Sequence, residues 1–501
     1  MSKFNKTNKV TTTNLAGGKS YTQDFEKELT SIVLNSMLNK DDYYMTEKDR
    51  LEMLVSKLDT RGYEKAAEFL SKLIVYTRTK ANLRSITHFL IVLMAENVKG
   101  SENTKKSIIK SLIRPDDATE IVSLWNERNP KKMLPNSIRK SIKYSLENRW
   151  DAYQLKKYYG TNNTVKVPDL IKMTHPKPSN TDKEKMFYDA MNGTLENINT
   201  VQTVNAGLVG KERIKMYYSM LKEKKLGYMG LLKNLSNIFE LYHTLSDKKQ
   251  GKIRTMIIDL LTNERALKGS KILPFRLWDA YKSLKYNSIT MDRFEKLEIL
   301  DAIEEAFRLS ASNLSFVEPG EKVALLLDES ASMGGSNDKS PFTLGKIMLA
   351  SMMTGLDKSK VIGYTWANSA REVNIRISPF DFLENTMSKG GGTDVSAPLM
   401  KLISTKTSVD KIVIFTDMQM YDINRYGNKG LSVYLERYKK EVNKNVKLLF
   451  WNLQGYGSGT PIKLSNDILE VSGYSSSMLE VIPKIWKDKN ALIEEINAIE
   501  L

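Results

Sequence analysis

The chain has 501 residues, of which 41% are hydrophobic and 27% are charged, and it contains no cysteine. This length exceeds one ordinary hydrophobic core, so we expect a soluble protein of two or more domains. The absence of cysteine excludes disulfides, zinc–thiolate sites and cysteine catalysis. No run approaches the roughly 18 apolar residues of a membrane-spanning helix, and the N-terminal residues lack an apolar signal segment, so we expect a cytoplasmic protein.

The positive charge is distributed unevenly along the chain. The whole chain has 76 Lys+Arg and 59 Asp+Glu residues, a net charge of +17. Between Glu321 and Leu501 there are 22 basic and 21 acidic residues, which leaves 54 basic and 38 acidic residues, a net charge of +16, before Glu321. That asymmetry favours a polyanionic partner such as nucleic acid. A lysine-rich surface kept for solubility explains the same charge.

Helical periodicity dominates the first 300 or so residues. Residues 1–21 are rich in Thr, Asn, Lys and Gly and have little apolar periodicity, which predicts a flexible basic tail. From Asp24 onward, apolar residues recur at helical spacing in segments separated by Gly, Pro, Asp or Asn. Because no clear strand pattern interrupts them, residues 22–315 are predicted to form an all-α domain. It is either a solenoid of HEAT-like repeats or a globular helical bundle.

Basic side chains lie near aromatic rings in the middle of this helical region. Leu134-Pro135 opens a predicted helix in which Ile138, Ile142 and Leu146 face inward. Arg139, Lys140 and Lys143 then fall largely on the other side. Further along, Lys156 and Lys157 precede two tyrosines, an arrangement that suits phosphate contact and base stacking. A solvated helical face with two core tyrosines is the alternative explanation.

A different pattern begins at residue 323. Val323–Leu327 are all apolar, as in a strand buried on both faces of a parallel sheet, and the run ends at Asp328. Alternating strand and helix patterns follow and predict a doubly wound α/β domain in residues 316–501. Hard oxygen donors, which suit Mg²⁺ or a similar cation, follow two strands and a glycine-rich loop. They are Asp328, Ser330, Ser332, Thr393 and Asp417.

These five residues resemble, position by position, the metal-ion-dependent adhesion site of von Willebrand factor A domains. The order is Asp-x-Ser-x-Ser after an apolar strand, then a Gly-Gly-Thr-Asp loop, then a strand that ends in Thr-Asp. The resemblance implies a divalent cation, most simply Mg²⁺, with an open coordination position for an acidic group of a partner. A metal-free site whose side chains merely cap turns is the alternative. Metal-ion-dependent adhesion sites normally lack a general base or an activated nucleophile, so we do not expect an enzyme.

The segment from Asp169 to Pro178 reads Asp-Leu-Ile-Lys-Met-Thr-His-Pro-Lys-Pro. It is similar to the pattern D-L-x-R-L-x-H-P-K-P in the TROVE domain of the Ro autoantigen family and its bacterial orthologues, and a C-terminal A domain is that family's usual arrangement. The resemblance implies a ring of HEAT-like repeats that binds Y RNAs on its basic outer surface and single-stranded 3′ ends of misfolded RNAs through its hole. His175 matches a family histidine implicated in RNA contact. The predicted RNA-binding residues are Arg139, Lys140, Lys143, Lys156, Lys157, Lys172, His175 and Lys177.

Three functions compete on these observations. The first is an RNA-binding scaffold for noncoding RNA and RNA quality control, a monomeric ring with an exoribonuclease as a candidate partner. The second is an assembly adaptor that grips an acidic residue of a partner through the metal site. The third, a metal-dependent nuclease, is disfavoured because a second carboxylate cluster and a nearby base are missing. The charge asymmetry favours the first, since an adaptor does not need a strongly basic helical part.

Overall fold

A computed structural model describes residues 11–36, 45–159, 164–195, 208–287, 289, 291–311, 317–336, 339–420, 430–457, 459–473 and 476–501. The chain divides into two compact units. One unit comprises Met1–Leu54 and Gly227–Glu494, and the other comprises Val55–Leu226 and Glu495–Leu501. No helix among the described residues combines the length and apolar character needed to cross a membrane.

The N-terminal segment begins with a β-hairpin followed by a helix. These elements are β1 (Thr11–Thr13), β2 (Lys19–Tyr21) and α1 (Phe25–Asn35). β1 and β2 pair antiparallel, and Tyr21 exchanges backbone hydrogen bonds of 2.8 and 3.0 Å with Thr460. The structure therefore corrects the predicted flexible tail for residues 11–21, because strand pairing with a distant segment orders a stretch that lacks apolar periodicity. Residues 1–10 lie outside the described residues.

Helices are the only regular secondary structure among the described residues of the unit built on Val55–Leu226. The helices that contribute to it are α2 (Glu47–Arg61), α3 (Tyr63–Thr79), α4 (Arg84–Asn97), α5 (Glu102–Ser111), α6 (Pro115–Arg128), α7 (Asn136–Asn148), α8 (Ala152–Lys157), α9 (Val167–Thr174), α10 (Thr181–Asn192) and α11 (Gly210–Lys222). α3 packs against α4 and α5, α5 against α7, and α7 against α9, while α4 packs against α6. This packing between alternate helices is that of stacked helical repeats, which bury together the apolar faces that no single pair can cover.

The other unit combines a second group of helices with a six-stranded sheet. The helices before the sheet are α12 (Tyr228–Tyr242), α13 (Asp247–Leu261), α14 (Glu264–Ser270), α15 (Pro274–Tyr286) and α16 (Arg293–Ala311). The later elements are β3 (Val323–Asp328), α17 (Pro341–Thr354), β4 (Val361–Trp366), β5 (Ala370–Val373), α18 (Pro379–Asn385), α19 (Ser396–Ser404), β6 (Lys411–Thr416), α20 (Leu431–Glu441), β7 (Lys447–Asn452), β8 (Ile468–Ser472), α21 (Ser476–Ile485) and α22 (Ala491–Asn497). The strand order is β5–β4–β3–β6–β7–β8. β5 pairs antiparallel with β4, and the other pairs are parallel.

Helices cover both faces of this sheet. β3 and β6 consist of buried residues throughout, as expected for central strands of a parallel sheet. On one face, Leu326 of β3 shares a core with Leu399 of α19 and Leu435 of α20. On the other face, α17 approaches the strands so closely at Gly345 that a Cβ there would lie 2.9 Å from Leu327 Cδ1. The predicted doubly wound α/β fold is therefore confirmed.

The predicted domain boundary near residue 315 does not coincide with the division into compact units. Helices α12–α16 belong to the same unit as the sheet. An aromatic cluster joins them, because the Phe380 ring of α18 lies 5.3, 4.4 and 5.2 Å from the rings of Trp278, Tyr281 and Phe307. Periodicity identifies helices in a sequence, but it does not reveal which of them pack together.

Candidate metal centre and basic surface

The first three predicted metal ligands meet at the carboxyl end of β3. Asp328, the last residue of the strand, is fully buried. Its Oδ1 accepts a 2.9 Å hydrogen bond from the backbone N–H of Ser330, and the hydroxyl oxygens of Ser330 and Ser332 are 3.3 Å apart. The turn after β3 therefore gathers one carboxylate and two hydroxyl groups, as the spacing of two residues predicts.

β6 brings the second carboxylate to the same edge of the sheet, because it runs parallel beside β3. The Thr416 hydroxyl donates a 2.7 Å hydrogen bond to Asp328 Oδ2. The next residue, Asp417, is also fully buried, and its Oδ1 accepts a 3.0 Å hydrogen bond from the backbone N–H of Gln419. Neighbouring strands thus end in two buried aspartates, as expected at the carboxyl edge of a parallel sheet.

The glycine-rich loop contacts the turn after β3. The Gly391 carbonyl accepts a 3.0 Å hydrogen bond from the Ala331 N–H, and the Gly392 N–H donates a 3.1 Å bond to Asn368 Oδ1. A Cβ on Gly392 would overlap with that Asn368 oxygen, so the contact requires glycine. Thr393, which is half-buried, follows these anchored residues directly. Three segments that carry predicted ligands are therefore linked by short contacts.

The electrostatics of this edge favour a bound cation. Burial, followed by the charge of Asp417, raises the pKa of Asp328 to about 7, against the opposing effect of hydrogen bonds from Ser330 and Thr416. Two buried carboxylates repel each other unless a proton or a cation neutralises them. Hydroxyl and carboxylate oxygens are ligands that Mg²⁺ prefers, so the donor set fits a divalent cation. Within the described part of the chain no group of three or more His, Cys, Asp or Glu residues could hold a metal, since this centre has two carboxylates and relies on hydroxyls for the rest.

In the all-α unit, α7 carries basic residues on the side opposite its core. Ile138, Ile142 and Leu146 are fully buried, whereas Arg139 and Lys140 are exposed. The spacing of the buried residues produces this division, because positions three and four apart share one face of a helix. The predicted orientation of α7 is therefore confirmed.

The C-terminal end of α9 adds to the basic face of α7. Lys143 Nζ donates a 2.9 Å hydrogen bond to the His175 carbonyl oxygen, and the Lys177 N–H donates a 2.6 Å bond to Glu147 Oε1. His175 caps α9 in a left-handed conformation, with φ at 45°, and its side chain is exposed, as are those of Lys172 and Lys177. We call this set the α7–α9 basic surface. It comprises Arg139, Lys140, Lys143, Lys172, His175 and Lys177.

The two remaining predicted RNA-binding residues lie at the end of α8. Lys156 Nζ donates a 3.0 Å hydrogen bond to the Leu195 carbonyl oxygen, so its ammonium group is engaged within the unit. Lys157 Nζ lies 5.8 and 5.3 Å from the ring centroids of Tyr153 and Tyr158. The predicted proximity of cations and aromatic rings is therefore confirmed for Lys157, while Lys156 has a clear structural role.

When charge is counted by compact unit, the positive excess falls in a shorter part of the chain than the 320 residues before Glu321. Val55–Leu226 contains 32 basic and 18 acidic residues, a net charge of +14 out of a total of +17. The two acidic residues of Glu495–Leu501 bring the whole unit to +12. Met1–Leu54 contains 8 basic and 8 acidic residues, and Gly227–Gly320 contains 14 basic and 12 acidic residues. The excess charge thus belongs to the helical repeats that carry the α7–α9 basic surface, and not to the helices that pack with the sheet.

Comparisons with known proteins bear on both parts of the chain. Residues 322–485 match the family model of the Ro60 vWA domain. These residues are therefore similar in sequence to the von Willebrand factor A domain of Ro60 proteins. The RNA-binding protein RO60 of Deinococcus radiodurans is 27% identical over 269 residues, which are 51% of this chain and 48% of that protein. The alignment therefore spans about half the length of that relative.

A solved structure is similar over a longer part of the chain. The crystal structure of the Deinococcus radiodurans RO (RSR) protein matches with a TM-score of 0.58 and 16% sequence identity, covering 92% of this chain and 100% of that chain. At this identity the match demonstrates a shared fold. The predicted resemblance to bacterial proteins of the Ro family is confirmed, and so is the predicted fold class of helical repeats combined with a von Willebrand factor A domain.

Three residues that support the candidate metal centre were missed in the sequence. Glu329 accepts a 3.1 Å hydrogen bond from the Lys389 N–H and forms a 2.8 Å ion pair with Arg371, which anchors the start of the glycine-rich loop. Its place inside the Asp-x-Ser-x-Ser motif was a usable signal. Asn368 and Gln419 carry no such signal, because their contacts depend on how the loops fold.

Proposed function

We propose that the protein is an RNA-binding scaffold without catalytic activity of its own. The α7–α9 basic surface binds the phosphate backbone of structured, Y-like noncoding RNA, and the same unit binds unpaired 3′ ends of misfolded RNA. The observation that carries the proposal is the concentration of a net charge of +14 in Val55–Leu226, with exposed basic residues clustered on two adjoining helices. The similarity to a protein named as RNA-binding supports it.

The chemistry of this surface suits recognition by shape and charge. Lysine and arginine neutralise phosphates and release counterions, which provides affinity for any structured RNA at low salt. Tyr144, 45% exposed, lies one helical turn beyond Lys140 on α7 and offers a ring on which an unpaired base can stack. This combination favours an RNA that has both a duplex and a single-stranded end.

We further propose that Asp328, Ser330, Ser332, Thr393 and Asp417 hold a divalent cation, most simply Mg²⁺. When bound, the cation neutralises the two buried aspartates and supplies a coordination position for an acidic group of a partner protein. The buried, mutually repelling carboxylates support this second binding function. An exoribonuclease partner, a monomeric ring and a cytoplasmic location stay predictions.

The RNA proposal is tested with one hairpin RNA, prepared blunt or with a single-stranded 3′ extension. Gel-shift titration of the full-length protein at fixed salt should give tighter binding of the extended hairpin. The triple variant Arg139→Gln, Lys140→Gln and Lys143→Gln should bind both RNAs more weakly. A control variant removes three exposed lysines from the unit that contains the sheet, by Lys401→Gln, Lys444→Gln and Lys463→Gln.

The salt dependence gives the expected size of the effect. Each lost phosphate contact should reduce the slope of log K against log salt concentration by roughly 0.7–0.9. The α7 triple variant should therefore lose roughly 2–3 units of slope, and the control variant much less. If the two triple variants had equal slopes, RNA binding could not be assigned to the α7–α9 basic surface. Equal affinity for blunt and extended hairpins would exclude the preference for 3′ ends.

A further inference from the structure

The N-terminal hairpin contacts the loop that carries Asp417. The turn between β1 and β2 is closed by Asn14, which is buried and whose Oδ1 accepts a 2.7 Å hydrogen bond from the Gly18 N–H. Its Nδ2 donates a 2.7 Å bond to the carbonyl oxygen of Met420, and the Leu15 N–H donates a 2.8 Å bond to Gln419 Oε1. Two consecutive residues of the hairpin thus bond to two consecutive residues of the loop after β6.

The fit between hairpin and loop leaves no space for a side chain at one position. A Cβ on Gly18 would lie 2.5 Å from the Met420 carbonyl oxygen. The neighbouring Gly17 differs, because it has positive φ but a Cβ there would have no atom within 4 Å. The closest approach at Gly18 is therefore to the loop on which the hairpin docks, while the Asn14 side chain of the hairpin's own turn would lie at 3.2 Å.

The loop under the hairpin holds Asp417 through Gln419. The Gln419 backbone N–H donates a 3.0 Å hydrogen bond to Asp417 Oδ1, and Gln419 Nε2 donates a 3.3 Å bond to the Asp417 carbonyl oxygen. The residue between them, Met418, has a positive φ of 65° and is buried. A left-handed backbone conformation is unfavourable for residues other than glycine, so surrounding contacts must stabilise it. On the C-terminal side of Met418, the hairpin provides such contacts through its bonds to Gln419 and Met420.

We propose that the N-terminal hairpin, residues Thr11–Tyr21, positions Asp417 in the candidate metal centre. The Leu15 N–H fixes the Gln419 side chain, Asn14 fixes the Met420 carbonyl, and together they hold the left-handed turn that directs the Asp417 carboxylate. The inference rests on the proposed cation site. It makes Asn14 and Gln419 positioning residues, and it makes metal affinity depend on a segment about 400 residues away in sequence.

The test uses the full-length protein and Mn²⁺ as the probe, with affinity measured by isothermal titration calorimetry. Asn14→Ala removes the bond to Met420, and Gly18→Ala introduces the clash. Each should weaken Mn²⁺ binding about tenfold, at the lower end of what residues supporting a metal ligand contribute. Gly17→Ala is the matched control, because it strains the same turn without touching the loop, and its affinity should stay within about twofold of the unmodified protein.

A double-mutant cycle separates positioning from general damage to the fold. Gln419→Ala removes the side-chain bonds to Leu15 and to the Asp417 carbonyl, while the bond from Asn14 to Met420 stays. If both bonds hold the same turn, the combined loss of Mn²⁺ affinity in the double variant should be smaller than the sum of the two single losses. Additive losses would overturn the route through Gln419. Circular dichroism and the unfolding temperature in EDTA should differ little between Asn14→Ala and the Gly17→Ala control.

The outcomes distinguish this inference from the proposal of the metal site. Mn²⁺ binding by the unmodified protein that Asp328→Asn abolishes, with normal binding by Asn14→Ala and Gly18→Ala, would overturn the role of the hairpin and leave the metal site standing. Failure of the unmodified protein to bind Mn²⁺ would overturn both. Weak binding by the two hairpin variants, with normal binding by Gly17→Ala, supports the inference.

Discussion

Replacing Asp328 by asparagine measures the free-energy cost of keeping this buried carboxylate ionised beside Asp417. Without metal, burial and then the charge of Asp417 raise the pKa of Asp328 from 3.8 to about 7. The folded protein therefore binds this proton more tightly than the unfolded chain does. The resulting stability is fully present below about pH 4 and is lost as the pH rises towards 7. At 1.36 kcal/mol per pKa unit, the loss at pH 8 is about 4 kcal/mol. Asp328→Asn, which stays neutral, should be more stable than the unmodified protein in EDTA at pH 8.

Magnesium should narrow that difference by stabilising the unmodified protein. A cation present at 100 times its dissociation constant adds about 2.7 kcal/mol to the stability of the form that binds it. Asp328→Asn should gain almost nothing, because one of the two carboxylates is missing. Urea unfolding at pH 5, 6.5 and 8, with EDTA or Mg²⁺, measures both effects through the fluorescence of the buried Trp366 and Trp451. Asp381→Asn, an exposed substitution on α18, is the control and should match the unmodified protein.

Two results would refute this reasoning about Asp328. If the metal-free protein kept constant stability between pH 5 and pH 8, burial and the charge of Asp417 would not be raising the pKa of Asp328 in solution. If Asp328→Asn gained as much stability from Mg²⁺ as the unmodified protein does, the cation would bind elsewhere. In either case the assignment of the five ligands would have to be abandoned.

Three further predictions concern both compact units. Asp117→Asn should destabilise the protein by about 3–5 kcal/mol in denaturant titrations, because the buried Asp117 accepts bonds of 2.9 and 3.1 Å from Arg78 and lies 3.2 Å from His88. Although burial opposes it, the bond from His88 and the charge of Arg78 hold the Asp117 pKa below its usual range, so its stabilising effect should be lost only as the pH falls below about 4. Gly392→Ala should weaken Mn²⁺ binding measured by calorimetry, whereas Gly390→Ala, with nothing within 4 Å of its Cβ, should do so much less. The Asp328→Asn protein should bind RNA in gel shifts as the unmodified protein does, because its substitution lies outside the basic unit.

The candidate metal centre could be predicted from sequence because local rules place its parts. A run of apolar residues with no polar interruption predicts a central strand, and parallel strands bring their carboxyl ends to one edge. Asp328 and Asp417 each follow such a run, so their proximity followed from the fold class alone. The contact between the glycine-rich loop and the turn after β3 was implied by the family resemblance, since no local pattern joins Thr393 to Ser330.

The hairpin and the division into units could not be predicted in the same way. Thr11–Thr13 is a three-residue strand with exposed side chains, so no alternation of apolar and polar residues marks it. Its neighbour Asn14 depends on Met420, which lies 406 positions later in the chain. The aromatic contacts of Phe380 likewise cross 73 to 102 residues. Contacts between residues so far apart leave no periodic pattern in the sequence. The composition of residues 11–21 therefore predicted a flexible tail, whereas the structure has a hairpin that contacts the loop after β6.

The spacing of residues predicts which side of a helix is exposed, but it does not predict the contacts that a lysine on that side makes. Arg139, Lys140 and Lys143 share one basic face of α7, yet Lys143 alone of these three bridges to α9, through its 2.9 Å bond to the His175 carbonyl. Neutralising Lys143 therefore removes a charge and loosens a helix end, so a loss of RNA affinity in that variant combines two effects. Arg139→Gln and Lys140→Gln remove charge without breaking a contact between helices. The RNA proposal should be judged on that pair, which should reduce the salt slope by roughly 1.4–1.8 units if both residues contact phosphates.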